Sequence, residues 1–134
     1  MLILDQTEYV LSAITWMEKD FRALKNGNAI KLLVDDLNTK SQTLLGSIKA
    51  FRESGKKEVD THQISEHFEE VKAVANKIKK EIRGAHPIKY FLYGLIKLFS
   101  KNPVIEAIED YKKLEGAIKQ NSECIKNMKN SRRD

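Results

Sequence analysis

Apolar residues recur along this chain at three- and four-residue intervals, in four long stretches and one short one. In the first, Val10, Ala13, Ile14, Met17, Phe21 and Leu24 fall on one helix face, with Tyr9 and Trp16 at its flanks. Asp5 is placed to cap this helix, Glu8 completes a capping box, and Leu4 is placed to staple onto Tyr9. Gly27 reads as a left-handed stop and Asn28 as the next N-cap. The second stretch carries Ile30, Leu33, Val34, Leu37, Ser41, Leu44, Leu45, Ile48 and Phe51, helical throughout and without strand alternation.

After a polar linker over 54–60, a third helix is expected from Asp60. Gln63 stands in its capping-box position, and Val59 is placed to staple on Ile64. Its stripe is Ile64, Phe68, Val71, Val74, Ala75, Ile78 and Ile82, with Gly84 as its stop. The last long helix runs from Pro103, capped by Asn102, to about Met128. The pattern predicts an all-α protein: an up-down bundle of four long helices plus one short amphipathic helix over about 87–100. It forms one domain over 1–134, with a frayed basic tail at about 130–134.

The short stretch, His86 to Pro103, is the most apolar part of the chain and holds both prolines. It is too short to cross a bilayer, which takes roughly 20 apolar residues. Wound as a helix it has two faces. Ile88, Phe91, Leu92, Leu95, Ile96, Leu98 and Phe99 share one wide arc, and Lys89, Tyr90, Tyr93, Lys97 and Ser100 share the opposite one. Gly94, at the border, invites a close backbone approach. The simplest expectation packs the greasy face on the bundle and leaves Lys89, Tyr90, Tyr93 and Lys97 as a partner-binding surface. The inverse arrangement lays the greasy face into a lipid interface with lysines at the rim.

The last helix adds a heptad seam. Val104, Tyr111, Ile118 and Ile125 are seven apart, and Ala107, Leu114, Asn121 and Met128 follow the same interval. In a bundle this seam packs internally. The alternative is a homodimer built on Val104, Tyr111, Leu114, Ile118 and Ile125, with Asn121 setting the register.

Charge changes the picture at one place. The chain carries a net +5, and residues 86–103 contribute three basic groups and no acid, while the long helices are near neutral. That distribution argues against nucleic acid as the main partner, although Lys77, Lys79, Lys80, Arg83, Arg132 and Arg133 would be the residues to carry such binding. Cys124 is the single cysteine, which excludes an internal disulfide and fits a cytoplasmic or other reducing compartment. The start, MLILDQTE, lacks the features of a secretory signal, which leaves export without one open.

No catalytic, cofactor or metal motif stands out. His62, Glu66 and Glu70 lie four apart with His67 adjacent, but the spacing of zinc proteases is missing. Arg83 and His86 are too close together to reproduce the Arg-to-His spacing of the HEPN helical nucleases. The expectation is a non-enzymatic interaction module that binds a protein partner, or itself, through exposed helix faces. The alternative is peripheral binding to an anionic membrane surface through the short helix, and weak nucleic-acid binding ranks third.

Overall fold

The computed structural model describes residues 3–55 and 58–133, and it is all-α. Six helices follow in order: α1 (Ile3–Trp16), α2 (Gly27–Glu53), α3 (Glu58–Ala85), α4 (Pro87–Phe91), α5 (Tyr93–Phe99) and α6 (Pro103–Arg133). Two 3-10 turns, Met17–Lys19 and Phe21–Ala23, join α1 to α2. Helices α1, α2, α3 and α6 lie side by side, each against the next, and α6 closes back on α1. Contacts that pair early α1 with late α6, and the start of α2 with the end of α3, make these neighbours antiparallel.

The core forms where the predicted stripes meet. Ile14 and Met17 of the first stripe, Leu37 and Ile48 of α2, Ile64 and Ile78 of α3, and Ile108 and Leu114 of α6 are all buried. Burial of such stripes, rather than intrinsic helix propensity, is what holds long helices together.

The helix ends differ from the sequence expectation in instructive ways. Helix α1 starts at Ile3, one turn earlier than a cap at Asp5 would allow, because Ile3 and Leu4 pack partly on the core. It ends at Trp16, and the rest of its stripe continues through the 3-10 turns. Gly27 is no left-handed stop. It heads α2, and a Cβ there would overlap the Phe21 carbonyl oxygen, so glycine is required for a close backbone approach. The left-handed residue is Gly55, with φ +80°, just past the end of α2.

Helix α3 passes through Gly84 and ends at Ala85, because Pro87 pushes His86 out of the helical region, to φ −135° and ψ 63°. Its start at Glu58 precedes the expected cap at Asp60, and the proposed staple of Val59 on Ile64 lies outside the described residues. At the other end of the short segment, Asn102 caps α6 as expected: its Oδ1 accepts the Val104 N–H at 2.8 Å. The backbone of the basic tail is helical to Arg133, and the 130–134 side chains lie outside the described residues.

Candidate docking site on the short helices

The single short helix is two, with a kink at Leu92 (φ −96°, ψ 16°) that the hydrogen-bond ladder spans. Leu92 N–H donates to the Ile88 carbonyl and Ile96 N–H to that of Leu92, both at 2.9 Å. Gly94 admits no close neighbour: a Cβ there would meet open space. Chain geometry sets the position of the pair, since α4 leaves the end of α3 and α5 delivers the chain to the start of α6. The two therefore lie across the outside of α3 and α6, whose apolar faces are already committed to the core.

Which face turns inward is the central observation. The greasy arc points to solvent: Phe91 is 87 % exposed, Phe99 81 %, Leu98 75 % and Ile88 70 %, with Leu92 and Leu95 also exposed. Of that arc, only Ile96 packs partly on the core, and Tyr90 and Tyr93 join it from the other face. The simplest expectation, greasy face inward, is corrected by this exposure. Burying a large apolar side chain is worth about 1.5–3 kcal/mol, so the six leave on the order of 10 kcal/mol of burial unused.

The inward face has its own partners. The Lys112 ammonium of α6 lies 4.8 Å from the Tyr90 ring centroid and 5.3 Å from that of Tyr93. Lys97 donates to Glu109 of α6 at 2.8 Å and to Tyr93 Oη at 3.4 Å. These bonds hold the Lys97 ammonium above its ordinary pKa and the Glu109 carboxyl below its own. Burial pushes the Tyr90 phenol up, and its Oη has no hydrogen-bond partner among the described residues. Of the four sequence-predicted contact residues, Tyr90, Tyr93 and Lys97 thus face α6, and Lys89 sits half-exposed.

At the α3–α4 corner, His86 is buried and its Nε2 accepts the Lys25 N–H at 3.1 Å, tying the corner to the turn before α2. Burial, followed by the charges of Lys89 and Lys25, lowers the His86 pKa. The imidazole is therefore neutral with an accepting nitrogen, and it has a structural use.

The residues of the seam, Val104, Tyr111, Leu114, Ile118, Asn121 and Ile125, are all buried within the one chain. Asn121 Nδ2 donates to Thr7 Oγ1 at 2.9 Å, and nearby Gln6 Nε2 donates to the Ala117 carbonyl at 2.9 Å, so this polar row matches α6 to α1. Tyr111 Oη donates to the Ala75 carbonyl at 2.8 Å and fastens α6 to α3. Beside Tyr111 a shallow groove of about 350 Å³ runs between α3 and α6, lined by Lys72, Glu115, Ile118 and Ser122 among others.

One buried pair had no signal in the sequence. Asp20, between the two 3-10 turns, is 4 % exposed and faces Asp110 of α6, which is 8 % exposed. Burial first, then the hydrogen bond and repulsion from Asp110, push the Asp20 carboxyl up to about 8, against the lowering pull of Lys19. At neutral pH Asp20 is therefore held mainly in its protonated form.

Among the described residues no three His, Cys, Asp or Glu side chains are placed to hold a metal ion. Among the same residues no helix is long and apolar enough to cross a membrane. No protein-family model matches the chain, and no curated protein or solved structure matches it either.

Proposed function

We propose that this protein is a non-enzymatic helical interaction module whose docking element is the outward apolar face of α4 and α5. The observation that supports this reading is the exposure of Ile88, Phe91, Leu92, Leu95, Leu98 and Phe99 side by side on one short segment. Exposed apolar residues scattered singly are ordinary, whereas a contiguous patch marks an interaction surface. The partner-contact role assigned in sequence to Lys89, Tyr90, Tyr93 and Lys97 thereby moves to the opposite arc. The tyrosine–lysine face instead sets the direction in which the greasy arc points.

A photoreactive residue placed at position 91 in living cells tests the reading, with position 42, exposed on α2, as the control. Covalent adducts, to protein or to lipid, are expected at 91 and not at 42. Equal labelling at both sites, or none at 91, would contradict it.

A further inference from the structure

We propose that the surface this ridge docks on is the interface of an anionic lipid bilayer. Phe91, Leu95, Leu98 and Phe99 enter below the headgroups, and Lys25, Arg83, Lys89 and Lys101 meet the headgroup phosphates. The inference rests on the docking reading and names its occupant. Two observations carry it.

The first is shape. Phenylalanines that are 87 % and 81 % exposed stand out from the surface, so the apolar arc is a ridge, with a hollow only where Phe91 meets Arg83 and Tyr90. A partner helix seats in a groove, whereas a bilayer accepts a ridge, taking an apolar helix face to a depth of about 5–10 Å. The kinked pair α4–α5 lies across the outside of α3 and α6, which lets its arc meet a plane while the bundle stays in water.

The second is charge. The segment 86–103 carries three lysines and no acid. The fold brings further cations to its flanks: Lys25 beside Ile88 and Lys89, and Arg83 beside Phe91. Lys97 is held by Glu109, Lys79 by Glu115, and Lys112 lies on the tyrosine rings. Among the described residues Lys25, Arg83, Lys89 and Lys101 enter no ion pair, which leaves a set of uncommitted positive charges around the ridge. A second copy docked face to face would bring that same set against itself, so the charge disfavours a two-fold dimer through this face. An anionic membrane surface attracts it.

Flotation with vesicles of phosphatidylcholine and phosphatidylserine, compared with phosphatidylcholine alone, tests the proposal at low and high salt. The protein is expected to float with the anionic vesicles, at least tenfold less with neutral ones, and less as salt rises. Both Phe91→Ser/Phe99→Ser and Lys89→Glu/Lys101→Glu are expected to lose at least tenfold in partitioning while keeping the wild-type helical circular dichroism. Absence of flotation at either salt, or equal flotation with neutral vesicles, would overturn the lipid assignment. If adducts at position 91 then prove to be protein, the docking reading stands with another occupant. A concentration-dependent dimer that Phe91→Ser/Phe99→Ser abolishes would assign the face to a second copy. Loss of adducts at 91 altogether would remove both proposals.

Discussion

Lys112 of α6 holds its ammonium 4.8 Å from the centre of the Tyr90 ring of α4, and this contact helps decide which way the short helices face. The same ammonium serves Tyr93 of α5, so one cation clamps both pieces across the kink at Leu92. Cation–ring contacts are worth about 0.5–1 kcal/mol at exposed sites and more when desolvated. Lys112→Ala should lower the stability read by urea unfolding by about 1 kcal/mol and speed amide exchange in 88–96 selectively. Lys112→Arg should restore both. An unchanged exchange pattern would mean that the clamp does not hold the pair.

The Asp20–Asp110 pair makes stability depend on pH in a direction opposite to that of most surface carboxylates. In the unfolded chain Asp20 titrates near 3.8, and in the fold at about 8, so the folded state holds an extra proton between those values. Its stabilising contribution is full below the lower value and is lost progressively as pH rises through the upper one. Asp20→Asn keeps a neutral group that donates to Asp110. The variant should be more stable than wild type at pH 8 and about equal to it at pH 4. Thermal melts across that range check the slope; a variant destabilised equally at both pH values would contradict a protonated Asp20.

Asn121 distinguishes a bundle from a dimer seam. In the fold its amide bonds Thr7 within the same chain, at 2.9 Å. Asn121→Ala should therefore cost about 1–3 kcal/mol, the cost of a lost buried hydrogen bond, without changing the mass measured by light scattering. A change of oligomeric state in this variant would restore the seam to an interface between chains.

Gly27→Ala should be among the most damaging single substitutions. The added methyl would overlap the Phe21 carbonyl oxygen, a contact that only backbone movement relieves. A loss of more than about 2 kcal/mol is expected. By contrast Gly94→Ala meets open space within a helix and should stabilise by about 0.5–1 kcal/mol. Urea midpoints of the two variants should move in opposite directions.

How much of this was legible in the sequence follows from what each signal depends on. The long stripes were readable because helical periodicity is local, and Ile64 to Ile82 lands in the core as spaced. The Asn102 cap was readable for the same reason. The ends at Gly27 and Gly84 misled because a glycine marks several different needs: close approach at Gly27, none visible at Gly84. The two arcs of 88–99 were also readable. Their direction was not, because it depends on Lys112 and Glu109, which are distant in sequence and arrive only once α6 has folded back. Asp20 and Asp110 stand 90 positions apart and gave no local sign of facing each other.

The outward direction of the greasy arc is the claim on which the functional account stands, and urea unfolding of Phe91→Ser/Phe99→Ser without vesicles tests it most directly. With the rings outside, the variant's stability stays within about 0.5 kcal/mol of wild type, as for substitutions at exposed sites. A loss of about 3 kcal/mol or more, the cost of emptying a packed phenylalanine site, would place those rings inside and contradict it.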